Sequence, residues 1–251
     1  MDDQELQHAA AMEVARKCLE TRFIGARYLF ATGSILRGQG TSFSDIDLVV
    51  VFPKLERAWR ESFILDGFPV EAFVHDSQTL AYYMEKDVEG GCPTMLSMVA
   101  TGAIVGPSLK TALAIQTGAR RALAEGPRPL AGPAYDTMRY LLSDLADDLR
   151  GDRPGDEIAA IAALLYPLLI DFILIGRGQW TGRGKWGPRL LRQFDAHLGA
   201  AITQAFAAAT RGDSEALLGL ADAELERHGG RYFDGYRMLA PLDARIQESA
   251  S

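Results

Sequence analysis

Hydrophobic positions follow two different spacings in the two halves of the chain. In the first half, short runs of β-branched and aromatic residues alternate with Gly and Pro, and the run over 44–52, closed by Pro53, is the most strand-like. From about Leu109 onward, Ala- and Leu-rich stretches repeat near the helical period. The pattern therefore predicts an α+β protein, with a small mixed β-sheet and flanking helices over residues 1–108 and an α-helical bundle over 109–251.

Individual elements can be placed from the same pattern. Asp66-Gly67 supplies the positive φ angles of a tight turn and predicts a hairpin between its flanking apolar runs. The predicted strands cover 28–32, 44–52, 62–65 and 69–74, a short apolar segment covers 103–105, and the predicted helices cover 5–27, 77–88, 93–101, 108–125, 134–149, 156–176, 187–209 and 213–228.

The helix predicted over 156–176 is apolar enough to raise the question of a membrane span. It contains Asp171 and Pro167. An Asp near the centre of a membrane helix costs about 2.5–3.5 kcal/mol and a proline kinks it, so we expect a buried bundle helix and no membrane partner. An acid within an apolar helix is costly unless it is paired. Asp171 is therefore expected to meet an arginine, a hydroxyl or the substrate, and the sequence does not choose among them.

Charge and cysteine content narrow the functional classes. The chain has 26 Lys and Arg against 33 Asp and Glu, a net charge of −7. A protein that covers a polyanion needs a basic face, so the balance argues against a nucleic-acid partner. The two cysteines lack CxxC spacing and the four histidines are scattered, so no zinc signature is present. The acidic beginning lacks the regions of a signal peptide, and we expect a cytoplasmic protein.

Two acids at the start of the strongest predicted strand are candidates for chemistry. Side chains alternate along a strand, so Asp45 and Asp47 project from one face about 7 Å apart. The two carboxylates repel each other unless a cation lies between them, and oxygen ligands favour Mg²⁺ or Mn²⁺, which share their coordination with substrate phosphates. A lone Asp-x-Asp on a strand is more often a solvated face. The surrounding residues decide between these interpretations.

A Gly-Ser turn precedes the paired acids. Gly33-Ser34 follows a predicted strand and opens a turn whose backbone N–H groups and hydroxyl can hold phosphate oxygens. Glu71 offers a third carboxylate, which the hairpin can place beside the acidic strand. The turn and the acids occur in the right order within sixteen residues, which lowers the weight of the solvated-face interpretation. Written out, the two segments are Gly33-Ser34-x-x-Arg37-Gly38 and Ser44-Asp45-x-Asp47-Leu48.

These two segments resemble the signature of the nucleotidyltransferase superfamily, which includes DNA polymerase beta and the aminoglycoside nucleotidyltransferases. The resemblance is specific over residues 28–75 and looser over the helical remainder, whose layout is similar to that of the kanamycin and streptomycin nucleotidyltransferases. It implies a nucleotidyltransferase domain over 1–108 and a helical domain over 109–251 that closes on nucleotide and substrate.

The resemblance also implies roles for individual residues. Gly33 and Ser34 would hold the nucleotide phosphates, and Asp45 and Asp47 would bind the divalent metal. Glu71 would complete the metal site or act as the base.

Two basic residues are further candidates for nucleotide binding. Arg37 either contacts phosphate or braces the turn through an ion pair. Lys185 lies in a glycine-rich segment, 176–192, that has five basic residues and no acidic one. It is expected to contact the triphosphate, and the related antibiotic enzymes are similar in placing a lysine of the helical domain on the nucleotide. The alternative for Lys185 is a solvated basic loop.

The implied reaction is transfer of a nucleoside monophosphate, AMP from ATP, to a hydroxyl of a small molecule, with release of pyrophosphate. Mg²⁺ or Mn²⁺ would be the cofactor, ATP or another nucleoside triphosphate the co-substrate, and an aminoglycoside-like antibiotic a candidate acceptor. Two alternatives stay open: a protein acceptor, as in antitoxin-type nucleotidyltransferases, and a non-catalytic nucleotide sensor. The acidic stretch 144–157 either attracts a cationic acceptor or forms a polar helix face.

Overall fold

The computed structural model describes residues 3–41, 43–241 and 244 and divides the chain into two compact units, Met1–Arg128 and Pro129–Ser251. The first unit mixes helices with a sheet, whereas the described part of the second is helical, so the predicted α+β class is confirmed. The first unit contains α1 (Asp3–Lys17), a π-helical turn (Cys18–Arg22), β1 (Tyr28–Thr32), β2 (Ile46–Phe52), β3 (Trp59–Leu65), β4 (Phe68–Asp76), α2 (Ser77–Gly90), α3 (Thr94–Thr101), β5 (Ala103–Val105) and α4 (Leu109–Glu125).

The sheet of the first unit has the strand order β3-β4-β2-β1-β5. The central strands β2 and β4 are parallel and the other neighbours are antiparallel, so the sheet is mixed as predicted. Because side chains alternate along β2, Ile46, Leu48 and Val50 enter a buried cluster that includes Val14 of α1. Burying each such side chain contributes about 1.5–3 kcal/mol. The opposite face is covered in part by α2 and α3.

The predicted hairpin is present between β3 and β4. Asp66 and Gly67 both have positive φ angles, 52° and 83°, as a two-residue turn of this twist requires. The ammonium of Lys17 donates to both carboxylate oxygens of Asp66 at 2.7 and 2.8 Å. The hairpin pairs β4 with β3 on one side, and β4 pairs with β2 on its other side.

Helix α4 belongs to the first unit, so the units divide later than the boundary expected between residues 108 and 109. It packs on α3, β1 and β5. The buried amide of Gln116 donates to the carbonyls of Val99 and Gly102 at 2.9 and 2.8 Å, and Arg120 donates to its oxygen at 2.9 Å. Sequence periodicity showed that α4 is a helix but could not show which neighbour it packs against.

The second unit contains α5 (Gly132–Arg150), α6 (Gly155–Gly176), α7 (Trp186–Phe194), α8 (Ala196–Ala209) and α9 (Glu215–Arg227). Helix α6 is long and apolar enough to cross a membrane. Its apolar side chains instead form the centre of a core shared with the other four helices, as expected for a bundle helix. The helix predicted over 187–209 is wrong in one respect, because it is broken at Asp195. This residue is extended, and its carboxylate accepts the N–H of Leu198 at 2.9 Å to begin α8.

Replacing Gln116 with Leu is expected to destabilise the first unit. The substitution leaves two buried carbonyls without their donor, at a cost of about 2 kcal/mol or more. Urea unfolding followed by circular dichroism measures the change. Thr117→Ala, one residue away on the exposed side of α4, is the control and should change stability little. Equal effects of the two substitutions would contradict the anchoring role of Gln116.

Candidate active site

Three acids meet where β1, β2 and β4 lie side by side. Asp47 is paired with Thr32 of β1 on one side and with Glu71 of β4 on the other, and Asp45 directly precedes β2. One carboxylate oxygen of each of Asp45, Asp47 and Glu71 lies within 4.8 Å of the others, and all three residues are half-buried. The parallel register of β2 and β4 thus brings together acids that are far apart in sequence. Oxygen donors at this spacing suit a divalent metal ion.

The turn after β1 packs against the backbone of the acidic segment. Gly33 has a φ of 116°, which side-chain-bearing residues rarely adopt. A Cβ atom on Gly33 would lie 2.9 Å from the carbonyl oxygen of Asp45 and 3.2 Å from the amide nitrogen of Asp47. Only glycine therefore permits this approach, which sets the turn beside both aspartates.

Serine hydroxyls tie the turn to the loop that leads into β2. The Ser34 hydroxyl donates to Oγ of Ser44 at 2.7 Å, and the N–H of Thr41 donates to the same oxygen at 2.8 Å. The segment after Gly33 is a series of turns rather than a helix, closed in part by the N–H of Gln39 on the carbonyl of Ser34 at 2.8 Å. Ser44 stood in the sequence motif without an assigned role, and the structure shows that it holds Ser34.

Arg37 makes a hydrogen bond to the strand that precedes the turn, and the ion pair expected to brace the turn stays a prediction. Its guanidinium donates to the buried hydroxyl of Thr32 at 3.3 Å, next to Asp47 in the sheet. Its charge also acts to lower the pKa of Asp47. A role in binding phosphate stays a prediction.

Burial and like charge dominate the electrostatics of the three acids. Burial, followed by the charges of Asp45 and Glu71, raises the pKa of Asp47 to about 6, although Arg37 and Arg60 oppose the rise. A carboxylate that repels its neighbours in this way gains from a nearby cation. The donor set is entirely carboxylate oxygen, which suits Mg²⁺ or Mn²⁺.

Arg60 is a site residue that sequence reasoning missed. It forms an ion pair with Oε1 of Glu71, and the hydroxyl of Ser62 lies 3.4 Å from the same oxygen. The predicted strand began at Ser62, whereas β3 begins at Trp59. Extending the alternation backwards from Ser62 would have placed Arg60 on the same face, diagonally opposite Glu71.

Three sequence predictions concern the second unit. Lys185 is exposed and immediately precedes α7, and its contact with a nucleotide stays a prediction. Asp171 accepts a hydrogen bond from the hydroxyl of Thr181, which is one of its three expected partners, and burial raises the pKa of this carboxyl. Acids of the 144–157 stretch form local ion pairs, which favours the polar-face interpretation: Arg150 with Asp147, and Arg153 with Asp148 and Glu157.

Comparison with known proteins agrees with this geometry. Residues 12–91 match the family model described as nucleotidyltransferase domain. The matched segment contains the glycine turn and all three clustered acids. The chain carries a nucleotidyltransferase domain. The predicted membership of the nucleotidyltransferase superfamily and the prediction of a transferase are thus confirmed.

One solved structure also matches most of this chain. The nucleotidyltransferase-like protein from Exiguobacterium sibiricum 255-15 is 9% identical, with a TM-score of 0.40, and the match covers 88% of this chain and 74% of that chain. At this level the likeness supports no statement about the substrate of the present nucleotidyltransferase. No curated protein matched the chain.

Gly33→Ala is expected to disrupt the site. The Cβ clash and the positive φ should cost at least ~2 kcal/mol and push the turn away from Asp45 and Asp47, which would weaken Mn²⁺ binding. Gly38→Ala is the matched control: Gly38 also has a positive φ, 67°, but its Cβ would meet only a side-chain atom of Gln4 at 3.6 Å. That control should lose about 1 kcal/mol and keep its metal affinity. Thermal melting and Mn²⁺ titration test both variants, and equal loss of metal affinity would refute the packing argument.

Proposed function

We propose that this nucleotidyltransferase moves a nucleoside monophosphate, AMP from ATP, to a hydroxyl group of a small molecule and releases pyrophosphate. The single observation that carries the proposal is the group of three carboxylates, with oxygens within 4.8 Å of one another, beside the glycine turn after β1. Asp45, Asp47 and Glu71 would hold Mg²⁺ or Mn²⁺. A bound divalent cation supplies positive charge that offsets the charge on the transferred phosphoryl group.

The turn after β1 would hold the phosphates of the nucleotide. In the described part of the chain, the N–H groups of Ser34 and Ile35 make no bond to a backbone carbonyl, so they can donate to phosphate oxygens. The Ser34 hydroxyl would join them by turning its hydrogen from Ser44 to a phosphate oxygen. Lys185 of the second unit would add a positive charge for the triphosphate.

The reaction itself is a displacement at the α-phosphorus. The acceptor oxygen forms a bond to this phosphorus, the bond to the bridging oxygen of pyrophosphate breaks, and the acceptor proton is lost to a base or to solvent. Glu71 either accepts that proton or serves only as a metal ligand. The chain contributes mainly by positioning the reactants and by charge.

A groove in the first unit and a cavity in the second are large enough to support the proposal of a small-molecule acceptor. A groove of about 290 Å³ adjoins Asp45 and Glu71 and is also lined by Ser62, Ile64 and Pro69, so a hydroxyl can be presented beside the acids. This groove lies entirely within the first unit.

The second unit has a larger cavity of about 500 Å³, which is in the range of small-molecule sites. Asp171 and Arg183 both line it, and the carboxyl oxygens of Asp171 can accept hydrogen bonds from the amino groups of an acceptor such as an aminoglycoside. A cytoplasmic location fits a reaction that consumes ATP.

A pyrophosphate-release assay with ATP and GTP, over aminoglycosides, lincosamides and plain sugars, tests the proposal. Asp45→Asn and Asp47→Asn should each lower turnover at least about 100-fold while the fold survives, because each removes a metal ligand and a repelling charge. Asp66→Asn changes an exposed acid in the β3–β4 turn in the same way and should leave turnover unchanged. Wild-type rates in both site variants would refute the metal assignment.

Other outcomes of the same experiment identify the alternatives. Transfer of labelled AMP to a co-purified protein, with no small-molecule turnover, would indicate a protein acceptor. Binding of Mg-ATP in calorimetry without pyrophosphate release from any acceptor would indicate a sensor.

Lys185→Ala is expected to weaken nucleotide binding rather than the chemical step. Loss of one charged contact to phosphate should raise the KM for ATP about tenfold with a smaller change in kcat. Lys110→Ala is the control, since Lys110 is also an exposed lysine near the beginning of a helix, α4. Steady-state kinetics measures both variants. An unchanged KM for Lys185→Ala would remove this residue from the nucleotide site.

A further inference from the structure

The ion pair between Arg60 and Glu71 lies inside the group of residues that would hold the metal. Glu71 contributes one of the three clustered carboxylates, and Arg60 binds its Oε1. The side chain of Glu71 is only 19% exposed, whereas that of Arg60 is 61% exposed. Water can therefore solvate the guanidinium when the pair opens, whereas Glu71 then needs another cation in its place.

The guanidinium of Arg60 also contacts an aromatic ring on the sheet surface. On β3, Arg60 lies opposite Phe73, and its guanidinium carbon lies 5.0 Å from the centre of the Phe73 ring. This contact keeps the positive charge beside the acids when the ion pair opens. The contact with Phe73 thus favours positions of the guanidinium near the site.

A divalent cation and a guanidinium compete for the same carboxylate. When the metal binds Glu71, the neighbouring Arg60 becomes a like charge and loses its partner, which makes binding of the metal alone less favourable. A triphosphate supplies a new partner, because arginine binds phosphate oxygens well. The effect of Arg60 is therefore unfavourable for binding of the metal alone and favourable for binding of the metal together with a nucleotide.

We propose that Arg60 is a resident counter-ion that disfavours metal without nucleotide and favours the metal–nucleotide complex. In the metal-free protein it pairs with Glu71, and in the loaded protein it contacts the phosphate groups. The inference rests on the proposed nucleotidyl transfer at this site. Arg60 is a positioning and selectivity residue, which acts on the metal through Glu71.

The chain contains a matched control on the other face of the same hairpin. Arg22 pairs with Glu61 of β3, and its guanidinium carbon lies 4.0 Å from the ring centre of Phe63. This trio has the same chemistry as Arg60, Glu71 and Phe73. Because Glu61 is paired with Ala72 and alternates with Ser62, it projects away from the face that carries Glu71.

The experiment compares wild type, Arg60→Ala, Arg60→Gln, Arg60→Lys and Arg22→Ala. Electron paramagnetic resonance of free Mn²⁺ gives the affinity for the metal alone, and calorimetry gives the affinity for the Mn²⁺ complex of α,β-methylene-ATP. Arg60→Ala and Arg60→Gln should bind Mn²⁺ alone about two- to fivefold more tightly. They should bind the complex at least about threefold more weakly. Arg60→Lys, which keeps the charge, should recover part of both effects, and Arg22→Ala should match wild type.

A purely structural role of Arg60 would not raise the affinity for Mn²⁺ alone while lowering the affinity for the Mn²⁺–nucleotide complex. Arg60 variants that bind both probes more weakly, or that match wild type with both, would overturn the inference. Thermal melting checks that each variant is folded, and Arg60→Gln preserves most of the side chain if Arg60→Ala is unstable. A wild-type protein that binds neither Mn²⁺ nor the complex would instead refute the proposed function.

Discussion

Mutual repulsion among three half-buried carboxylates is the constraint on which the site depends. Burial, followed by the charges of Asp45 and Glu71, raises the pKa of Asp47. The surroundings answer this repulsion with positive charge: the Arg37 and Arg60 guanidiniums both act on Asp47. A divalent cation at the same place would offset the repulsion more completely, which is why this arrangement suits metal-dependent transfer to or from a phosphate.

Close backbone packing at Gly33 accompanies the grouping of the acids. Asp45 and Asp47 can approach the turn after β1 only because Gly33 has no side chain. The turn is then held by hydroxyls, since Ser34 is bonded to Ser44. Close backbone packing and hydroxyl contacts therefore set the distance between the glycine turn and the strand that carries the acids.

The two units carry different functional features. The first unit contains the match to the nucleotidyltransferase domain and the clustered acids. The second unit has a buried apolar core, a cavity lined by Asp171 and Arg183, and acids that pair with nearby arginines, among them Asp147, Asp148 and Glu157. Under the proposed function, the residues that line a cavity, rather than the fold, would select the acceptor.

Sequence alone determined the α+β class, the hairpin at Asp66-Gly67 and the three acids, because alternation along strands and positive-φ turns are local properties. It did not determine that α4 packs with the first unit, which depends on the buried amide of Gln116. Nor did it find Arg60, whose position beside Glu71 follows from the antiparallel register of β3 and β4. Short stretches of sequence determine local backbone preferences, whereas the pairing of distant strands and charges depends on the assembled sheet.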